Sequence, residues 1–335
     1  MILIITETSD NSTDDVIEWI HAFGKHVIRV NIEDKVRIKL VKYNGKVPAV
    51  TFILNNGEVI NSDGITSYWY RRGDIKLLGT ENYDANIRNT VLKGIVSKNL
   101  RNEVITIRDL LYYILQNKPV SIGNYFLSGN NKLIHISAAR QAGLETPESI
   151  VCTEKKGLIL FYNRFPSGII TKPISNGIGF FPKRNKKDNS VFAIYTSLLT
   201  GNDIEKIPTT FFPTLLQEKI DKKFELRIFY LKGRFYPMAI FSQNDDQTKI
   251  DFRRYNHKYP NRRVPYTLAP SLKKKLKKLM MDINLDTGSI DMIYSADNKY
   301  YFLEVNPVGQ FGMVSYPCNY KLEKQIAIQL LKNGR

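Results

Sequence analysis

The sequence predicts an α/β (α+β) fold built from more than one compact unit. Three observations carry this. The chain opens strand–helix–strand. It then alternates short apolar runs with helical stripes. Its 335 residues, 43% hydrophobic and 24% charged, outgrow one small core yet supply apolar surface for several. That apolar content excludes a chain disordered throughout. No apolar run approaches ~20 residues, so no segment reads as a membrane span. Met1-Ile2-Leu3-Ile4-Ile5 is followed by Thr6-Glu7-Thr8, without a basic n-region or a cleavage site. It reads as a first strand, not a signal peptide. Two cysteines, Cys152 and Cys318, build no disulfide framework, which suits a reducing cytoplasm. Lys and Arg number 49 against 32 Asp and Glu, a net charge of +17. Charge of that size admits nucleic acid, a membrane surface, or anionic ligands such as nucleotides and acidic peptides.

Taken in order, residues 2–5 form the first strand. Asn11-Ser12-Thr13-Asp14 supplies N-cap chemistry for a helix whose apolar face is Val16, Ile17, Trp19 and Ile20. Residues 26–31 return as a second strand, and further strands are expected over 37–43, 47–54 and 65–70. Within 84–117, Leu100, Val104, Ile107, Leu111 and Ile114 recur at spacings of 4, 3, 4 and 3. This is a core-facing helical stripe, ended by Pro119. Residues 132–143 read as a helix with Gly143 as its C-cap and Pro147 just beyond. Short strands are expected around 149–152, 168–172, 214–219 and 225–231. Residues 183–190 form a charged loop, and 251–263 a basic, aromatic, irregular one. Residues 272–283 make an amphipathic helix with Leu272, Leu276, Leu279, Met280 and Ile283 on one face. Lys273, Lys274, Lys275, Lys277 and Lys278 take the rest.

Familiar nucleotide and hydrolase motifs are missing: no GxxxxGK[ST], no GxGxxG after the first strand, no GxSxG. The histidines, at 21, 26, 135 and 257, show no zinc-ligand spacing. The most informative stretch is 288–311. It reads as two strands, and a two-residue loop at Asp297-Asn298 sets Asp291 opposite Glu304. Their Cβ atoms then lie roughly 4.5–5.5 Å apart, where like charges repel. Asn306 shares that face. Two carboxylates and an amide carbonyl suit a hard cation, and Mg²⁺ fits. Residues 169–181 carry Lys172, Pro173 and a loop with Gly177 and Gly179, a pattern that lets backbone N–H groups approach phosphate. In 214–227, the backbone at Gln217-Glu218-Lys219-Ile220 can read an adenine edge, and Asp221 or Glu225 can accept from ribose hydroxyls. An edge strand leaving a sheet explains the same stretch.

The order Lys132, Lys172, Gln217–Ile220, Arg227, Asp291, Glu304-Val305-Asn306-Pro307 resembles the ATP-grasp superfamily over roughly 125–330. The resemblance implies an ATP-grasp fold with an N-terminal α/β domain (1–124), a central lid subdomain (125–219) and a C-terminal ATP-grasp subdomain (220–335). Lys132 and Lys172 would contact ATP phosphates, 217–220 would form the adenine hinge, and Arg227 would face phosphate or acyl phosphate. Asp291, Glu304 and Asn306 match the family's Mg²⁺ ligands. Within the superfamily the chain is most similar to graspetide synthetases of the microviridin and grasp-with-spasm type. Trp69-Tyr70-Arg71-Arg72 resembles their Trp-Tyr-Arg-Arg element. Asp251-Phe252-Arg253 resembles Asp-Trp-Arg, with Phe252 in place of Trp. Asn306-Pro307-Val308-Gly309-Gln310-Phe311 resembles Asn-Pro-x-Gly-Gln-Phe.

That likeness implies a bacterial, cytoplasmic ATP- and Mg²⁺-dependent maturase. It would activate Asp or Glu side chains of a ribosomal precursor peptide as acyl phosphates and close ester or amide rings to Ser/Thr or Lys. Lys172, Arg227 and Asn306 would serve the reaction. Arg71, Arg72, Asp251, Arg253, Arg254 and Gln310 would contact an acidic core peptide, and the basic region 235–284 its leader. Trp69, Arg71 and Arg72 are equally readable as structural. The reading also allows a homodimer. Two other readings stay open: a different ATP-grasp ligase that adds amino acids to a protein or joins small molecules, and a nucleic-acid-binding module built on 251–263 and the lysine helix. The likeness makes nucleic-acid and membrane partners unnecessary to explain the charge.

Overall fold

A computed structural model describes the chain except for residues 44, 79–89, 130, 176–177, 183–188, 194 and 333–335, and gives only the backbone of 178–182 and 189–193. The expected charged loop at 183–190 and the glycine at 177 therefore lie wholly or mostly outside the described residues. The chain divides into two compact units: Met1–Ser128 with Lys321–Arg335, and Gly129–Tyr320.

The first unit begins with β1 (Ile2–Thr6), α1 (Asn11–Ala22) and β2 (Val27–Asn31), then β3 (Lys35–Lys42), β4 (Ala49–Ile53), β5 (Val59–Asn61), β6 (Ser67–Tyr70) and β7 (Lys76–Leu78). A long helix, α2 (Thr90–Gln116), and β8 (Val120–Ile122) follow. β1 and β6 sit inside an all-parallel sheet of order β2-β1-β6-β8. Both are buried along their whole length, as strands covered on two faces must be. The second sheet has order β5-β4-β3-β7. A C-terminal helix, Leu322–Leu330, packs on α1 in this unit.

Two local expectations change. The N-cap of α1 is Asp10, one residue earlier than the expected cluster, and its side chain makes no capping bond. That carboxylate is engaged by Arg71 instead. In α2 only the C-terminal part of the stripe is buried: Leu111 and Ile114 are, whereas Leu100, Val104 and Ile107 are not. A helix of 27 residues runs roughly 40 Å, and outreaches the three- to five-residue strands of the parallel sheet.

The second unit holds α3 (Lys132–Gln141), β9 (Ser149–Glu154), α4 (Lys155–Tyr162), β10 (Ile169–Lys172), β11 (Ile178–Pro182), β12 (Asn189–Ala193), β13 (Ser197–Leu199), α5 (Gly201–Lys206), β14 (Thr210–Glu218), β15 (Lys222–Leu231), β16 (Arg234–Phe241), β17 (Arg262–Pro265), α6 (Pro270–Asp282), β18 (Thr287–Ser295), β19 (Tyr300–Asn306) and α7 (Gly312–Cys318); the C-terminal helix of the first unit is α8. Its sheets have orders β13-β10-β14-β9, β11-β12 and β17-β16-β15-β18-β19. Leu158, Phe161, Ile169, Ile204 and Leu216 form the core beneath the four-stranded sheet. α6 buries Leu272, Leu276, Leu279 and Met280 and leaves its five lysines exposed, as the sequence implies.

The β18–β19 hairpin is where the sequence argument is most testable. Its turn holds three residues, not two: the Ser295 N–H donates to the Lys299 carbonyl at 2.9 Å, and Asn298 adopts the left-handed conformation, φ +66°. Tyr294 therefore opposes Tyr300, and Met292 opposes Phe302. A bulge then admits Leu303 as an extra residue, so that Asp291 opposes Glu304. The two offsets cancel. The carboxylates face each other as the shorter loop required, but for a different reason.

Candidate functional site

The four-stranded and five-stranded sheets of the second unit enclose an open cleft of about 960 Å³, solvent included. β10 brings Lys172 to one wall, β18 brings Asp291 and β19 brings Glu304 to the other, and Arg227 on β15 pairs with Asp291. Lys132, the first residue of α3, packs beside them. Arg227 sits opposite Asp291 across β15–β18, and its Nη1 donates to both carboxylate oxygens, at 2.8 and 2.6 Å. Lys132 Nζ lies 3.3 Å from Glu304 Oε2 and also donates to the Pro173 and Ser175 carbonyls at 2.9 and 3.1 Å.

The electrostatics follow from crowding. Burial pushes the Asp291 carboxyl above its ordinary range; Arg227 opposes this and Glu304 reinforces it. Burial acts on Glu304 too, but Lys132, Lys172 and Arg253 outweigh it and hold that carboxyl below its ordinary range. Burial drives the Lys172 ammonium down to about 8, against the pull of Glu304 and with help from Lys132 and Arg253. Four cations thus crowd two carboxylates.

The rest of the cleft is more tightly self-bonded. Asp251 accepts from Arg253 Nε at 2.9 Å and Nη2 at 2.6 Å. Burial would raise its carboxyl, but those bonds keep it below its ordinary range. Glu225 is buried and accepts from Lys222 Nζ and the Ser242 hydroxyl; burial still pushes it above its ordinary range. At the junction of β14 and β15, the Glu218 N–H donates to the Glu148 carbonyl at 2.8 Å and the Lys219 N–H to the Gly168 carbonyl at 3.1 Å. Gln217 is fully buried and donates to Ser149 Oγ at 2.9 Å. Asp221 pairs with Lys219 and accepts from Ser167 Oγ. Ile220 also lines the cleft.

The structure thus brings together Lys132, Lys172, Arg227, Arg253, Asp291 and Glu304, with 217–221 and Glu225 lining the same cleft. Asn306 follows on β19, and its Oδ1 accepts the Val308 and Gly309 N–H groups, each at 3.2 Å. Gly309 is required there: its φ is +34°, and a Cβ would lie 2.8 Å from the Ser289 nitrogen. Gln310 is exposed. Arg254 reaches Ser197 Oγ at 3.4 Å. Arg71 and Arg72 belong to the first unit. Arg71 Nε lies 2.9 Å from Asp10, and Arg72 Nη1 lies 2.6 Å from Glu7. Sequence reasoning missed Thr196, Lys222, Ser242 and Leu303. Leu303 was hidden by the bulge, and the others join the cleft through contacts that no motif announces.

Among the described residues no group of three or more His, Cys, Asp or Glu could hold a metal ion. The donor set here is instead two hard carboxylates on facing strands, Asp291 and Glu304, with Asn306 two residues further along β19. That set suits Mg²⁺ when phosphate oxygens and water complete the shell. Among the described residues no helix is long and apolar enough to cross a membrane.

The MvdD pre-ATP grasp domain family matches residues 1–98. No curated protein matches the chain significantly. Among solved structures, the macrocyclase MdnC of Microcystis aeruginosa MRC, bound with precursor peptide MdnA, is 25% identical with a TM-score of 0.74, covering 99% of each chain. A RiPP-associated ATP-grasp ligase of Chryseobacterium gregarium, in complex with ADP and a leader and core peptide, is 24% identical with a TM-score of 0.72, covering 98% of this chain and 94% of that one. The ATP-grasp ligase PsnB, complexed with a phosphomimetic variant of its minimal precursor, Mg and ADP, is 15% identical with a TM-score of 0.72, covering 100% and 98%. The chain has the ATP-grasp fold that these macrocyclases and ligases share, and its residues 1–98 match the MvdD pre-ATP grasp domain family.

Proposed function

We propose that this chain is an ATP-dependent peptide ligase that closes rings within a ribosomally made precursor peptide. It would join Asp or Glu side chains to Ser/Thr hydroxyls or Lys amines. The observation that carries the reading is the convergence of Lys132, Lys172, Arg227 and Arg253 on the facing Asp291 and Glu304 in one cleft. An excess of cations over carboxylates there suits a triphosphate. Ile170 and Leu303, from opposite sheets, line the cleft near 217–220 and offer apolar faces to a base. Asp221, far more exposed than Glu225, is the freer of the two to take ribose hydroxyls.

In the reaction, a peptide carboxylate oxygen attacks the γ-phosphorus, the bond to the β–γ bridging oxygen breaks, and ADP leaves. A hydroxyl or amine then attacks the acyl carbon, the bond to phosphate breaks, and its proton goes to the departing phosphate. Lys132, Lys172 and Arg227 stabilise charge on the transferring group from fixed positions. A Mg²⁺ ion held by Asp291, Glu304 and the Asn306 amide would neutralise phosphate charge. The sheet carrying Lys172 acts as a lid and excludes water from the acyl phosphate. Arg253, with 45% of its side chain exposed, grips the acidic core, joined by Arg254 and Gln310. The leader lies along the basic region 235–284.

Co-expression with a candidate precursor peptide drawn from a neighbouring open reading frame, followed by intact-mass analysis, tests the reading. Each ring removes one water from a single peptide. A gain of residue mass would mean an amino-acid-adding ligase, and an unchanged mass would sink the proposal. Glu304→Gln is expected to cut ring formation by roughly 10²–10³ and leave the melting temperature near that of the wild type. Wild-type turnover by that variant would refute the site.

A further inference from the structure

The loop after β16 holds a contact that the chemistry above leaves unused. Asp251 is 5% exposed, and its carboxylate accepts four hydrogen bonds. Three come from Arg253: the backbone N–H at 3.0 Å and Nε at 2.9 Å to Oδ1, and Nη2 at 2.6 Å to Oδ2. The fourth comes from the other sheet: the backbone N–H of Thr196, 55 residues away, donates to Oδ2 at 3.1 Å. Thr196 immediately precedes β13. The register of β10 on β13 sets Thr171 opposite Ser197, and its continuation sets Lys172 opposite Thr196. Arg254 adds two grips on the same segment, Nη2 to Ser197 Oγ at 3.4 Å and its guanidinium 5.6 Å from the Tyr195 ring centre.

The geometry points to Asp251 as a positioning residue: its carboxylate holds Arg253 toward Asp291 and Glu304 while clasping the lid sheet at Thr196. This rests on the ligase reading. A carboxylate offers about four lone-pair sites, and Asp251 spends them inside the protein, so it does not touch the peptide. Its two duties share an atom, since Oδ2 receives both Arg253 Nη2 and the Thr196 N–H. Arg253 and Lys172 repel each other, and the carboxylate beside Arg253 makes their proximity tolerable. If the lid sheet lifts, the Thr196 N–H withdraws and the arginine loses its connection to the strand that carries Lys172. Lid closure and arginine orientation are then one event, and the acyl phosphate forms where water is excluded.

The test is Asp251→Asn, which keeps one acceptor oxygen and removes the charge. Hydrogen exchange in the presence of ADP is expected to be roughly fivefold faster over 195–199, the net worth of one hydrogen bond, with β18 unchanged. The ratio of ADP released to rings formed should rise as water converts acyl phosphate back to carboxylate and phosphate. Arg253→Gln is the comparison: it should lower ring formation without speeding exchange at 195–199. Arg254→Ala loosens the clasp from the exposed side and should raise the ratio less. Unchanged exchange over 195–199 in Asp251→Asn, or a wild-type ratio in both it and Arg254→Ala, overturns the inference. A wild-type protein that releases no ADP with peptide sinks the ligase reading instead, and the exchange measurement still decides the clasp.

Discussion

The two units each bury an Arg–Asp pair, and the pairs behave oppositely. In the first unit Arg71 meets Asp10; in the second Arg227 meets Asp291. All four residues are under a tenth exposed. Burial should raise both carboxyls. Yet Arg71, the Ser12 and Thr6 hydroxyls and Arg72 pull Asp10 below its ordinary range, whereas Asp291 ends above it. The difference is the neighbour. Asp10 is surrounded by donors alone, and Asp291 faces a second carboxylate, Glu304. One pair is closed on itself. The other shares its cations with a second carboxylate and is set in a cleft. Identical residue types therefore do not imply identical duties, and the surroundings decide which pair can serve a ligand.

Removing the arginines gives the largest expected contrast. Arg227→Met leaves Asp291 buried without its cation, at a cost of about 3–5 kcal/mol, and should also abolish turnover. Arg71→Met leaves Asp10 with Thr6, Ser12 and Arg72, so its cost should be smaller. It should not change kcat below its own melting temperature. Thermal melts and steady-state rates on both variants check this. A loss of kcat in well-folded Arg71→Met would support the peptide-binding role that the family resemblance implies for Arg71 and Arg72.

Lys172 sharpens the comparison through pH. Its ammonium is pushed from an ordinary 10.5 to about 8. Between those values the unfolded chain holds the proton more tightly. The contribution of this group to stability is therefore fully present above 10.5 and is lost as pH falls through 8. Phosphate favours the charged form. With divalent cations chelated, ADP affinity should fall as pH rises above about 8, by up to roughly tenfold per unit, and binding should take up protons. Calorimetry in buffers of different ionisation enthalpy reads both effects, and Lys172→Met should flatten them. A flat wild-type profile would mean that Lys172 does not face the phosphates.

How much of this was legible depended on range. The strand–helix–strand opening, the amphipathic α6 and the Lys132 helix were readable because their patterns are local. The convergence of Lys132 and Lys172 came from family resemblance, since no rule of periodicity joins residues 40 apart. The Arg71–Asp10 pair was invisible because the direction of a side chain after a strand end is set by packing. Thr196 carried no signal, because it acts through a backbone N–H that any residue but proline supplies. The outer half of α2 misled for the converse reason: a perfect stripe says which face is apolar, not whether anything covers it.

The smallest predicted effect concerns the hairpin that places the carboxylates. The three-residue turn puts Asn298 at φ +66°. Asparagine tolerates that region and alanine does not, so Asn298→Ala should cost about 1–2 kcal/mol. It also loses acceptance from Lys223 Nζ at 2.6 Å and Tyr294 Oη at 3.2 Å. Asn298→Gly loses the same exposed contacts but keeps the conformation, so the difference in melting temperature between the two variants isolates the backbone term. Both should retain the Mg²⁺ requirement of the wild type, because the bulge at Leu303, five residues on, resets the register before Glu304. Equal melting temperatures for the two would argue against a left-handed Asn298. A changed Mg²⁺ requirement would show that the turn, as well as the bulge, holds Asp291 opposite Glu304.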